Sequence, residues 1–426
     1  MSRFEPSTAS SRIGSIDALR GIALSGIFFV HMIERYLATM PVRGAYGDNS
    51  GALNGIIGGI VDALLRSKFF AIFSILFGLS FFIIFSAADR KGVDFRTRFL
   101  WRMAILFAVG YAHSLFFRGD ILTIYAILAI PLMLLYRAGN RTLLAIAVAF
   151  ALGLPKYVLF YFLHGQTLIA GAGIDPDTAL NTAYYAAVTQ GSLLDVFRSN
   201  AWDGHLWYLN IQFDIFGRGY QTFCYFLIGM WLGRLGLFER LEEYIPRVRR
   251  AFYISLALAL PLMVSTFYFA MQLFSDGFVL DSWSKVFTFA GMNLADTAFT
   301  IAILCGFLMA YRTVRGQRLL DVLAPYGRMA LSNYLLQSLV GTFLFYHWGL
   351  GLIQHFDHTQ VAGLAIGFIV VQIVLSTLWL RRFNYGPFEW LWRSATYLRA
   401  QPMRKGSAAA IAAARNLQAP PENQAR

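Results

Sequence analysis

Four ionisable residues, Asp17, Arg20, His31 and Glu34, stand within the first long apolar segment, residues 16–36. Arg20 and His31 are eleven residues apart. That is close to three turns at ~3.6 residues per turn, so they share a helix face and stand about 16 Å apart along its axis. Asp17 lies a turn before Arg20 and Glu34 a turn after His31, which extends one polar stripe along the helix. An ionised side chain at the centre of a bilayer costs ~2.5–3.5 kcal/mol on insertion scales, so such a stripe turns towards a polar interior. The chemistry on offer is proton transfer by an imidazole and phosphate binding by a guanidinium.

The third apolar segment repeats the spacing from Arg102 to His113 and leads into Arg118, Gly119 and Asp120, then Tyr125. Arg102, His113 and Asp120 therefore join Asp17 and Arg20 as candidate substrate-binding residues. A simpler reading has the arginines snorkelling to headgroups and each histidine bonding a neighbouring helix. Asn333 and Gln337, one turn apart, either line a site or bond across helices. Glu389 and Arg393, also one turn apart, read as an interfacial ion pair. No serine elbow, paired catalytic carboxylates, phosphate-cradling glycine loop or metal-ligand spacing occurs, and Cys224 and Cys305 each sit alone in an apolar segment.

The elements that must hold these residues are membrane helices. Of 426 residues 57% are hydrophobic and 14% charged, against roughly 25% charged in a soluble domain. The pattern predicts an all-α, polytopic transmembrane bundle of about ten spanning helices, near 16–36, 68–88, 99–117, 121–136, 142–163, 219–237, 251–274, 286–311, 329–350 and 361–380. Lys and Arg cluster after the second, fourth, sixth, eighth and tenth, which places both termini in the cytoplasm. The net charge of +13 is dispersed between apolar segments and forms no nucleic-acid patch.

The organisation expected is a cytoplasmic N-terminus over 1–15, an N-terminal helical half over 16–163 and an external loop over 164–218. A C-terminal helical half over 219–400 and a disordered cytoplasmic tail over 401–426 follow. Residues 1–12 lack a signal peptide's apolar run, so the first helix is expected to stay as a signal anchor. The external loop carries Asp175, Pro176, Asp177, Asp195 and Asp203 and is expected to hold a short interfacial helix. Gly51, Gly55 and Gly59, four apart, suit either a close helix contact or a loose loop. Phe69, Phe73, Phe77, Phe81 and Phe85 recur every four residues and read as packing or lipid contact.

Several of these residues carry a resemblance. Asp17-Ala-Leu-Arg20-Gly21 with Gly26-Ile27, Phe73-Ser-Ile-Leu-Phe77-Gly78, and Gly119-Asp120-Ile121-Leu122 followed by Tyr125-Ala126 resemble the N-terminal half of the YeiB-like bacterial membrane proteins, the DUF418 family. The stretches Gly327-Arg328-Met329-Ala330-Leu331-Ser332-Asn333-Tyr334-Leu335-Leu336-Gln337-Ser338 and Tyr385-Gly386-Pro387-Phe388-Glu389-Trp390-Leu391-Trp392-Arg393 are similar to its C-terminal signatures. The likeness spans roughly residues 12–400. It implies a bacterial inner membrane location. It also implies a distant similarity to transmembrane acyltransferases of the acyltransferase-3 group, whose first helix carries an Arg, ten intervening residues and a His. Arg20 and His31 match that spacing, although many DUF418 relatives have Asn at the His position. His205-Leu-Trp-Tyr-Leu resembles an external acyltransferase motif over five residues.

The resemblance implies acyl transfer from cytoplasmic acyl-CoA to an extracytoplasmic hydroxyl on a glycan or lipid. His31 is then the base, His205 assists on the acceptor side, and Arg20 holds an anionic part of the donor. The partners expected are the lipid bilayer, a small-molecule acyl donor and a glycan or lipid acceptor; no metal or nucleic acid enters. Two other classes compete. The same polar face would suit a transporter's substrate or proton path, although the sequence shows no pair of broken helices in corresponding halves. Alternatively, the buried polar residues only hold a structural or signalling membrane protein together.

Overall fold

The computed structural model describes residues 14–38, 46, 49–172, 178–273 and 280–406, and among these all regular structure is helical apart from one isolated bridge between Phe383 and Arg404. The N-terminal half contains α1 (Gly14–Ile33), α2 (Ala52–Ile60), α3 (Lys68–Arg90), α4 (Arg96–Phe116), α5 (Leu122–Leu134), α6 (Asn140–Ala151) and α7 (Leu154–Leu163). The expected external loop is itself helical, with α8 (Ala179–Gln190), α9 (Leu193–Ser199) and α10 (His205–Phe213). Then come α11 (Arg218–Leu235), α12 (Leu241–Leu273), α13 (Trp283–Tyr311), α14 (Val314–Leu320) and α15 (Ala324–Arg328). The last three are α16 (Ala330–Phe345), α17 (His358–Arg382) and α18 (Pro387–Tyr397).

Six helical stretches are long and apolar enough to cross a membrane: α1, α2 running into α3, α4, α12, α13 and α17. The pair α6 and α7 passes the same test together but bends by 51° at its break, where Gly153 has φ +84°. The chain is a multi-pass membrane protein. Each of the ten segments expected from sequence contains a helix, but length and composition support six or seven crossings. Helices α5 and α16 are short for a ~30 Å hydrocarbon layer, and α11 carries Arg218 and Arg234 near its two ends.

Contacts at the helix ends set their directions. The last turns of α1 and α4 meet at the His31 and Phe117 rings, 5.1 Å apart, and the Tyr346 hydroxyl after α16 donates to the Tyr36 carbonyl oxygen at 2.7 Å. These three helices thus run the same way. Helix α17 starts at that same end, where the Phe356 carbonyl accepts from buried Arg35 at 2.8 Å. It runs back so that Ser376 meets Asn333 near the start of α16.

The phenylalanine ladder of α3 turns inward: Phe77 stacks on Phe226 of α11 at 4.5 Å, and Phe81 packs edge-on to Phe99 of α4 at 5.1 Å. Small residues let α3 and α11 approach closely, since a Cβ on Gly78 would strike the Phe226 carbonyl and one on Gly229 the Ile75 carbonyl. Lys68 of α3 and Asp296 of α13 form a buried ion pair at 2.6 Å.

The sequence motifs converge on one joint. Gly327 lies where a Cβ would collide with the Asp17 carbonyl, and a Cβ on Gly21 would meet the Leu323 carbonyl, so the first motif packs on the penultimate one. Asn333 donates to the Tyr326 carbonyl at 3.1 Å and to Ser376 at 3.0 Å, while Gln337 donates to the Tyr326 hydroxyl at 2.5 Å and to Gln372 at 2.8 Å. Glu389 does not pair with Arg393. Its carboxylate caps α16, and the Arg393 guanidinium lies 5.0 Å from the Tyr385 ring.

Other expectations are refined. Gly51 precedes α2, so the glycine run is helical, yet Gly55 and Gly59 face open space and mediate no close contact. Residues 401–406 are ordered, with the Asn384 amide donating to the Pro402 carbonyl at 3.0 Å. The remainder of the tail, residues 1–13, and Asp175, Pro176 and Asp177 lie outside the described residues.

Candidate functional site

The polar stripe of α1 is real and partly open. Arg20, Ile27, His31 and Glu34 are each half-buried, whereas the flanking Leu19, Leu24 and Phe28 are buried. At the lower end Arg20 turns inward, donating to Asp17 at 2.9 Å and to Ser80 of α3 at 3.3 Å. Asp17 is itself buried, so it orients the guanidinium.

At the upper end His31 Nδ1 lies 3.6 Å from Glu34 Oε2, within ion-pair reach and just beyond hydrogen-bond length. Glu34 also pairs with Arg66, which is held in turn by Asp62 at 2.8 Å. Glu34 follows the last residue of α1. Burial works to raise its pKa, but Arg66, His31 and Arg218 outweigh that and hold the carboxyl below its ordinary value. The carboxylate therefore stays charged and can fix the imidazole with Nδ1 towards it.

The Phe117 ring separates His31 from a second polar cluster, with centroids 5.1 Å from His31 and 6.2 Å from His113. His113 Nδ1 stands 2.7 Å from Asp120 Oδ1, and Asp120 Oδ2 accepts from the Thr123 amide and hydroxyl, both at 2.8 Å. Asp120 thus caps α5 while orienting His113. His205 approaches from α10: Nδ1 is 2.8 Å from the Asn200 carbonyl and Nε2 is 3.2 Å from Ser114 Oγ. A carbonyl only accepts, so Nδ1 carries the proton and, in the neutral ring, Nε2 faces Ser114 as an acceptor.

Of the residues singled out from sequence, His31 and Glu34 come together at one end of α1, and His113, Asp120 and His205 gather behind Phe117. Arg20 and Asp17 hold the opposite end of the α1 stripe. Arg102 belongs to neither cluster: its guanidinium stacks over Trp392 at 3.7 Å, a cation–π contact between α4 and α18. Asn333 and Gln337 direct their amides to helix–helix bonds within the α15–α17 joint. Among the described residues no group of three His, Cys, Asp or Glu side chains is placed to hold a metal ion.

Sequence reading missed Arg66, Ser80, Asn200 and Tyr208, which other segments bring in, and Ser114, which follows His113 on α4. It also missed Lys68, Asp296 and Lys156. Those three had a signal, because each is a charge within an apolar stretch.

Comparison with known proteins adds a frame without a chemistry. A family model described as "Protein of unknown function (DUF418)" matches residues 232–399. The uncharacterised protein YxaH of Bacillus subtilis (strain 168) is 30% identical over 430 residues, covering 95% of this chain and 99% of YxaH. The uncharacterised protein YeiB of Escherichia coli (strain K12) is 27% identical over 406 residues, covering 91% and 97%. An uncharacterised 39.9 kDa protein of Bacillus acidopullulyticus is 25% identical over 408 residues.

Proposed function

The chain belongs to the YeiB-like DUF418 family, and on that premise we propose that it transfers an acyl group from cytoplasmic acyl-CoA to a hydroxyl of an extracytoplasmic glycan or lipid. The observation that carries this reading is the His31–Glu34 pair on a partly open helix face that it shares with Arg20. Glu34 faces Nδ1, which leaves Nε2 as the base. In the reaction Nε2 takes the acceptor's hydroxyl proton, the oxygen attacks the thioester carbonyl, and the C–S bond breaks as the ester C–O bond forms. The imidazolium then returns the proton to the departing thiolate. Arg20, about three turns away, binds a phosphate of the donor. His205 serves the acceptor side.

In this reading the chain spans the bacterial inner membrane ten times with both termini in the cytoplasm, and α5, α11 and α16 are its shorter crossings. Membranes containing the chain should transfer radiolabel from acetyl-CoA into a hydroxyl-bearing glycan or lipid, and transfer equal to that of membranes lacking it would reject the reading.

One observation favours transport instead. The α6–α7 break resembles the discontinuous helices of carriers, and Lys156 beside it is buried against Phe289 at 4.3 Å with its Nζ unbonded. Solute movement into liposomes without any acyl donor would favour that reading.

A further inference from the structure

Helices α4 and α18 meet at the end of the bundle opposite His31, and three guanidinium groups gather on their joint. Arg102 lies 3.7 Å over the Trp392 ring, and Arg98, one turn earlier on α4, lies 5.4 Å from the Tyr397 ring. Arg393 of α18 lies 5.0 Å from the Tyr385 ring. Arg98 is exposed, whereas Arg102 and Arg393 are half-buried and near enough to repel each other. Two indoles fix the joint: Trp392 Nε1 donates to the Arg102 carbonyl at 3.1 Å, and Trp101 Nε1 to the Ala395 carbonyl at 3.0 Å.

Among the described residues no carboxylate forms an ion pair with any of the three, and none accepts a hydrogen bond from their side chains. Arg393 Nε is buried without a partner. The acid of α18, Glu389, already has both oxygens engaged at the start of α16. Stacking occupies the flat faces of the guanidinium groups and leaves their N–H edges free. Like charges held together in partial burial with no acid beside them are costly, and an anion removes that cost. We infer that the α4–α18 joint binds the phosphate of an anionic phospholipid.

Charge, depth and surroundings select that partner. Guanidinium edges match phosphate oxygens, and three of them neutralise a headgroup without help from a metal. Helix α4 is long and apolar enough to cross a membrane, and Arg102 stands about 9 Å along it from its first residue. The tryptophan and tyrosine rings around the arginines are the side chains that gather at headgroup level. Leu100 and Trp101 of α4 and Phe388 and Leu391 of α18 are exposed beside them. A phospholipid uses both features, with its phosphate on the arginines and its acyl chains along these apolar side chains; a soluble phosphate compound would use only the first. The site needs no acyl-transfer chemistry and stands on different residues from the Arg20–His31 face.

The test is the thermal unfolding midpoint of the detergent-purified full chain, titrated at fixed ionic strength with dioleoylphosphatidylglycerol in mixed micelles. The midpoint should rise saturably, and dioleoylphosphatidylcholine at equal content should raise it far less. Arg102→Gln and Arg393→Gln should each weaken the apparent affinity for the anionic lipid by about tenfold. Should both fail to fold, Arg98→Gln alters only an exposed side chain and should weaken it by about threefold. A flat titration, an equal response to the two lipids, or unchanged affinity in the variants that fold would overturn the assignment. Inorganic phosphate and coenzyme A tested alongside separate the sources: no response to either supports the lipid, and a response matching that of phosphatidylglycerol would overturn it in favour of a soluble phosphate.

Discussion

Glu389 of α18 holds the first turn of α16 through Ser332, accepting the Ser332 amide at 3.0 Å and its hydroxyl at 2.5 Å. The Leu331 amide donates to the same carboxylate at 2.7 Å, and Ser332 Oγ accepts the Phe388 amide at 3.0 Å. Two distant signatures are therefore one capped helix start, with the acid at the positive end of the α16 dipole. Glu389→Gln keeps the shape but loses the charge and one acceptor. It should destabilise the chain by about 1–2 kcal/mol, read as a lower thermal midpoint in detergent.

The α3–α11 crossing depends on absent side chains. Gly78→Val would drive a branched side chain into the Phe226 carbonyl, and overpacking of this kind costs about 1–3 kcal/mol or more. Poor membrane yield is the expected outcome. Gly363→Val, at a position with nothing within 4 Å, should be accumulated normally and serves as the control.

Lys68 and Asp296 are a stability pair outside both polar clusters. Lys68→Met leaves the Asp296 carboxylate without its 2.6 Å partner. Breaking a buried pair costs about 3–5 kcal/mol, with the lower end expected because Asp296 keeps partial solvent contact. The double variant Lys68→Met with Asp296→Leu should recover much of the loss, as read from the same midpoint.

Asp214, in the turn between α10 and α11, should make the protein less stable as pH rises. Burial raises its pKa, and bonds from the Ile215 and Leu168 amides and from Asn210 only partly offset that. With the folded value above the unfolded one, ~3.9, the unfolded chain loses its proton first on the way up. Stability is therefore highest below the unfolded pKa and falls as pH climbs through the folded one. Asp214→Asn should remove this component, so that variant minus wild-type stability grows from pH 4 to pH 7.

Much of this architecture could be read from residues, and the reasons for the rest are physical. Helix existence followed from apolar runs, and the shared face of Arg20 and His31 from the helical period. The crossing count was less legible, because α5 and α16 fall short of a full hydrocarbon layer and the α6–α7 bend is set by a left-handed Gly153. Local spacing also misassigned Glu389, whose partner is the start of α16 rather than Arg393 one turn away. Asn333 and Gln337 showed the same ambiguity, since a buried amide serves a neighbouring helix as readily as a ligand. Of the candidate site, sequence exposed the ionisable groups carried by α1 and α4, but not Arg66, Ser80 or Tyr208, whose proximity exists only after folding.

The central claim is that His31, held by Glu34, takes a proton from an acceptor hydroxyl, and single-residue variants in membranes test it most directly. With radiolabelled acetyl-CoA, His31→Ala should lower transfer at least about a hundredfold at unchanged protein level. Glu34→Gln should lower it less, and Arg20→Ala should chiefly raise the donor's KM. Transfer by His31→Ala at the wild-type rate would contradict the account.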